Sequence, residues 1–242
     1  MAKEDFLDKT FTAPPERRRQ TIAFILRYVD PQRSLRVLDL GCGTGEQLVD
    51  LARELPNAHL TGVDVAEMNI RRAREHTRGK PIEGRLTFVV ADYLHFETTP
   101  FDLIISDSTL QNIDAPTATL FSKINSDLVP GGSLVATIPY ACVYNRLLWS
   151  VRRAFRLLRS PWTDSLLLTV AKLLHRGRYS EPSLQQRLHY MYLVPHLYDS
   201  KAFRQLLEAS WGLTLVGEGE VPHDSLAQPR HRILVWRKRL DA

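Results

Sequence analysis

Two cysteines in 242 residues, Cys42 and Cys142, are too few and too far apart for a disulfide framework or a zinc-ligand set, so neither is expected to do more than fill space in reduced form. Long apolar runs are also missing. None approaches the roughly 18 residues that a membrane-spanning helix needs. The first residues, with Lys3, Glu4, Asp5, Asp8 and Lys9, lack the apolar stretch of a secretory signal, and a cytoplasmic location is expected. With 44% hydrophobic and 24% charged residues, the chain suits one α/β domain spanning residues 1–242.

Glycine is sparse too, at 12 residues, yet three fall within five positions. Residues 37–45 read Val-Leu-Asp-Leu-Gly-Cys-Gly-Thr-Gly, a buried-strand pattern that breaks into alternating glycines before a helical stretch. Gly41, Gly43 and Gly45 let the backbone turn sharply and approach a ligand. Asp39 argues against a dinucleotide, because a carboxylate beside a pyrophosphate repels it, whereas a cation is attracted. Two further strands end in acids: residues 58–65 close at Asp64, 19 positions after Gly45 and suitably spaced for a ribose, and Leu86 to Val90 runs into Ala91-Asp92-Tyr93.

This series resembles the class I S-adenosylmethionine-dependent methyltransferases, whose first motif is two hydrophobic residues followed by Asp-x-Gly-x-Gly-x-Gly. S-adenosylmethionine carries the ammonium and sulfonium that Asp39 favours. The resemblance implies a cofactor site of Asp39, Gly41, Cys42, Gly43, Gly45, Asp64, Val65, Asp92, Tyr93, Ser106 and Leu110, with Asp64 on the ribose hydroxyls and Asp92 on the adenine amine. S-adenosylhomocysteine is the implied product and no metal is implied. Residues 106–112, Ser-Asp-Ser-Thr-Leu-Gln-Asn, are similar to the segment after strand four in the trans-aconitate and malonyl-carrier-protein carboxyl methyltransferases. That places Ser106, Leu110 and Gln111 at the floor of the site.

Helical periodicity over 14–29, 46–55, 66–77 and 116–128 alternates with apolar runs at 101–106 and 133–138, the latter preceded by a Pro130-Gly131-Gly132 turn. A last helix over 201–210 and strands at 213–217 and 232–236 complete the pattern. The expected fold is α/β: a Rossmann-like, seven-stranded, mostly parallel sheet of order 3-2-1-4-5-7-6. Helices cover both faces, and a helical lid insert lies between strand five and the following helix. The helix over 14–29, which begins with Arg17, Arg18 and Arg19, is expected to pack on the sheet edge with its charged face solvated.

Charge singles out the insert, residues 140–198. Residues 144–178 hold seven arginines and one lysine against one aspartate, a net of +7, while the rest of the chain is net −2. One helix over 145–159 gathers Leu147, Leu148, Val151, Ala154, Phe155 and Leu158 on one face. A second over 163–175 is so broadly apolar that its face needs a cover, burial against the fold first. The arginines suit an anionic substrate, an acidic carrier protein or anionic lipid, expected in that order.

A nucleic-acid target is disfavoured. Ser106-Asp107-Ser108-Thr109 is not the Asn/Asp-Pro-Pro-aromatic motif of base-amine methylation, Ile138-Pro139-Tyr140 lacks a Pro-Cys nucleophile, and the insert's aromatics do not interleave regularly with its basic residues. A small-molecule acceptor remains, free or carrier-bound. If it is a carboxylate, no base is needed and Arg146 or Arg152 is the expected clamp, with Tyr144 lining the pocket. If it is a hydroxyl or an amine, the candidate catalytic groups are His189, His196, Tyr140 and Gln111, with His223 a weaker one. Monomer and homodimer both remain open.

Overall fold

The computed structural model describes residues 13–175, 181–196, 199–221 and 228–240. His223, Arg176 and Arg178 lie outside them. The elements run α1 (Pro15–Ile25), β1 (Arg36–Leu40), α2 (Glu46–Glu54), β2 (His59–Asp64), α3 (Glu67–Thr77), β3 (Leu86–Val90), β4 (Phe101–Asp107), α4 (Thr117–Ser126) and β5 (Leu128–Pro139). They continue with α5 (Val143–Leu157), α6 (Pro161–His175), α7 (Glu181–Leu188), α8 (Lys201–Trp211), β6 (Leu213–Glu220) and β7 (His231–Lys238).

The seven strands form one sheet in the order β3-β2-β1-β4-β5-β7-β6, as expected. β1 to β5 are parallel, and β7 runs antiparallel to both β5 and β6. Successive strand residues point to opposite faces, and both faces are buried. Val37, Leu103 and Val135 join the core under α1, α2 and α3, while Leu38, Ile104 and Leu134 join the core under α4 and α8.

β5 starts at Leu128, five residues before the expected Ser133, because Pro130-Gly131-Gly132 bulges within the strand and does not precede it. A Cβ on Gly132 would lie 2.8 Å from the Val129 carbonyl oxygen, so the backbone closes over itself there. α1 ends at Ile25, short of the expected Val29. Ser200 caps α8 by accepting from the Phe203 amide, and left-handed Gly212 closes it.

The expected burial of the second insert helix against the fold is met at Leu167 but not at Leu166, Val170 or Leu173. α5 docks through Asn145, Trp149 and Arg152, which are buried, while Leu147 is 65% exposed and Leu158 also faces water. The docking is polar. The Asn145 amide donates to the Tyr140 and Arg230 carbonyls and accepts from the Arg230 amide, each at 2.8 Å, and Arg152 Nη1 donates to the Leu193 carbonyl at 3.0 Å. In α6, Leu167 is buried but Trp162, Leu166, Val170 and Leu173 are exposed. Among the described residues no helix is long and apolar enough to cross a membrane.

Candidate active site

The chain winds from β1 out to β3 on one side and returns to β4 on the other, which opens a crevice at the carboxyl ends of the central strands. A cleft of about 430 Å³ occupies it. Its wall includes Asp39, Gly41, Cys42, Gly43, Asp64, Val65, Asp92 and Tyr93, all expected from the sequence. Gly41, Gly43 and Gly45 have φ of 73°, 54° and 81°, the left-handed region that favours glycine. A Cβ on Gly41 would fall 2.3 Å from Thr109 Oγ1. Gly45 stands outside the wall, as the left-handed residue that starts α2.

The three strand-end acids differ in state. Asp64 is fixed on both oxygens: Oδ2 accepts from the Gly43 amide at 2.9 Å, and Oδ1 from the Ala66 amide at 2.8 Å and Asn69 Nδ2 at 3.2 Å. Asp92 Oδ1 accepts from the Leu94 amide at 3.1 Å and caps the short 3-10 turn after β3. Asp39 is 3% exposed, and no hydrogen bond or ion pair reaches its carboxyl from the described residues. Burial first, then the neighbouring Asp107 and Asp64, pushes its pKa up to about 8. Nearby, the buried Gln47 side chain also lines the cleft, and its Nε2 has no partner among the described residues.

A buried acid and a buried amide donor, neither with a partner among the described residues, complement the ammonium and carboxylate of a methionine group. The residues therefore fit S-adenosylmethionine. Asp39 and Gln47 would hold its amino-acid end, the glycine turn its close backbone approach, and Asp64 its ribose. Among the described residues no group of His, Cys, Asp and Glu is arranged to hold a metal ion.

Other expected residues lie elsewhere. Ser106 is fully buried, and its Oγ accepts from the Leu110 amide at 3.1 Å, so Ser106 and Leu110 support the 110–112 turn from beneath and do not line the cleft. Gln111 is buried, and its carbonyl accepts from the His196 amide at 3.0 Å. The Tyr93 ring lies under Lys123 at 5.0 Å, with its hydroxyl beside Asp127 and its pKa raised by burial. Tyr140 and Tyr144 lie beneath the guanidinium groups of Arg232 and Arg230, at 4.3 and 4.9 Å.

Arg146 is exposed and Arg152 is committed to the Leu193 carbonyl, so neither is placed as a clamp in the cleft. Burial brings the Arg152 pKa down to about 10. His196 Nε2 lies 3.2 Å from Asp114 Oδ1, on the cleft's rim. The side chain of His189 is outside those described.

The residues that sequence reasoning missed come from α1 and the end of β4. Arg17 Nη2 donates to Asp107 Oδ1 at 2.5 Å and to Ser108 Oγ at 2.8 Å. Arg18 lines the cleft and donates to Asp50 Oδ2 at 2.9 Å. Both arginines are largely buried, which corrects the expected solvated face of this helix. Ser108 is the one non-glycine described with positive φ, 60°, a strained position in the cleft wall. A signal was available: three arginines at a helix start, and an acid, Asp107, directly after an apolar strand. His231, at the start of β7, has Nδ1 2.7 Å from the Pro229 carbonyl, and burial, with the charge of Arg17, lowers its pKa to about 4.

Sheet order, glycine turn and strand-end acids together define a class, that of the S-adenosylmethionine-dependent methyltransferases with a Rossmann-like core. The family assignment follows from comparison: a methyltransferase domain model matches residues 31–189, and the chain belongs to that family. It is 37% identical over 105 residues to a trans-aconitate 2-methyltransferase of Streptomyces coelicolor, covering 43% of this chain and 34% of the relative. It is 29% identical over 164 residues to a carboxy-S-adenosyl-L-methionine synthase of Aeromonas salmonicida, covering 66% of this chain and 60% of the relative. The chain thus spans between a third and three fifths of these relatives. The fold is shared with the N-methyltransferase NodS of Bradyrhizobium japonicum in complex with S-adenosyl-L-homocysteine, at TM-score 0.57 and 20% identity, covering 96% of this chain and 90% of that one.

Proposed function

We propose that the protein transfers a methyl group from S-adenosylmethionine to an oxygen, carboxylate or hydroxyl, of a small anionic or carrier-bound acceptor in a biosynthetic reaction. The observation that carries the anionic acceptor is Arg17, a largely buried guanidinium held against Asp107 and Ser108 at the end of β4. The trans-aconitate methyltransferase relative supports a carboxylic acid.

When bound, S-adenosylmethionine supplies an electrophilic methyl on a sulfonium, and a carboxylate acceptor needs no proton removed. What remains for the chain is positioning. Ser108, Thr109 and Asn112 would offer hydrogen bonds from the cleft wall, Arg17, bonded to Asp107 and Ser108 from behind that wall, would fix their positions, and Asp39 would hold the nucleoside's positive end. If the acceptor is a hydroxyl, His196 is the described candidate base, at the rim beside Asp114.

The test is release of S-adenosylhomocysteine in the presence of a panel of di- and tricarboxylic acids, trans-aconitate included. Arg17→Met should raise KM for the accepted acid by about tenfold, with a smaller loss of cofactor affinity, because Asp107 is left uncompensated beside Asp39. Turnover confined to uncharged acceptors would sink this reading. The alignment with the carboxy-S-adenosyl-L-methionine synthase favours a second one, in which the nucleoside itself is modified. Mass spectrometry separates them, since the second yields a heavier nucleoside and no S-adenosylhomocysteine.

A further inference from the structure

α5 is built inside out. Its polar Asn145 and Arg152 face the protein, while Val143, Leu147, Val151 and Leu158, spaced by four, four and seven residues, form a stripe on the opposite side. α6 repeats the pattern with Trp162, Leu166, Val170 and Leu173, spaced by four, four and three. The exposures are high, with Leu147 at 65%, Trp162 at 88% and Leu173 at 74%. Scattered apolar residues are normal on a surface, but two consecutive 15-residue helices each carrying such a stripe are not.

Arg146 and Arg153 flank the α5 stripe on one side. Both are exposed, and neither has an acidic partner among the described residues. The segment 144–178 is net +7. A second copy of the chain is a poor cover, because an isologous contact would set this segment's positive charge against itself. The surface needs a partner that is negatively charged and accepts leucine and tryptophan side chains without a shaped pocket. An anionic bilayer does both: its headgroups meet arginine, and its acyl boundary takes up leucine, with tryptophan at the interface. Each stripe runs along a helix of 15 residues, about 22 Å, which suits a helix lying in the interface plane.

We infer that the exposed apolar stripes of α5 and α6, with Arg146 and Arg153, form a docking surface for an anionic phospholipid bilayer. This is independent of the methyl acceptor. α5 leaves the sheet three residues beyond the carboxyl end of β5, so docking also brings that edge of the sheet toward the lipid.

Co-sedimentation of the full chain with vesicles tests it. The protein should associate with equimolar phosphatidylglycerol and phosphatidylcholine at low salt and remain in solution with phosphatidylcholine alone. The Leu147→Ser/Trp162→Ser variant, whose thermal midpoint and S-adenosylmethionine affinity should match the parent, should lose at least tenfold in partitioning. Arg146→Ser and Arg153→Ser should each lose about fivefold, with a weaker salt dependence. Failure to bind anionic vesicles, equal binding to neutral ones, or unchanged binding by the leucine-tryptophan variant would each overturn the inference. So would sedimentation of the parent as a dimer that the same variant converts to monomer, because a second copy would then be the cover.

Discussion

The cleft and the insert both bury polar groups, but they satisfy them in opposite ways. Around the cleft, the Asp39 carboxyl and Gln47 Nε2 are buried with no partner among the described residues, a cost that a ligand can offset by supplying the missing interaction. In the insert, Asn145 and Arg152 are buried against backbone carbonyls, and the apolar residues are left outside. The first arrangement stores binding capacity and the second spends polar groups on holding a helix in place. Buried polarity alone therefore does not mark a site; a buried acid and a buried amide without described partners, lining one cleft, do.

Two substitutions test that contrast within the insert. Arg152→Met should have the largest effect, since it leaves the Leu193 carbonyl without its donor and disturbs a packed face. A loss of about 2–4 kcal/mol is expected in denaturant unfolding, with the cofactor affinity of the folded fraction unaltered. If Arg152 instead bound substrate, stability would hold and KM would move. Leu147→Ser should change stability by less than about 0.5 kcal/mol, where a buried leucine lost from a core costs about 2–5 kcal/mol. A loss in the core range would show that the α5 stripe is covered by the fold after all.

Most of the fold and the cofactor half of the cleft were legible because their signals are local. A glycine turn and a strand-end acid keep their meaning wherever the strand lies, and period-two burial on both faces fixes which runs are strands. Asp39, Asp64 and Asp92 all line the cleft. Arg17 was not legible as a site residue, because its partners Asp107 and Ser108 are about 90 positions away and only the fold joins them. The insert misled for a different reason. Helical periodicity reveals that two faces differ, yet it does not say which one docks, and here Asn145 and Arg152 find carbonyls that the apolar residues could not have used. The bulge at Gly131-Gly132 was read as a turn because both need the same glycines.

Asp39 is a buried acid with no partner among the described residues, placed to receive a cation. Its folded pKa of about 8 lies above the ordinary 3.8, so its favourable contribution to the free protein is full below about pH 3.8 and is lost progressively as pH rises to about 8. A cation that requires the ionised form reverses the preference. Calorimetric titration of S-adenosylmethionine between pH 6 and 9 should show affinity rising about tenfold per unit toward pH 8 and then falling as the ligand's own α-amino group, of ordinary pKa about 8, loses its proton, with close to one proton released per ligand at the acid end. Asp39→Asn, which mimics the protonated acid, should keep or raise the thermal midpoint and bind the nucleoside at least 100-fold more weakly, about 3 kcal/mol, with no pH slope. Tight, pH-independent binding by the parent, or equal binding by the asparagine variant, would contradict the account.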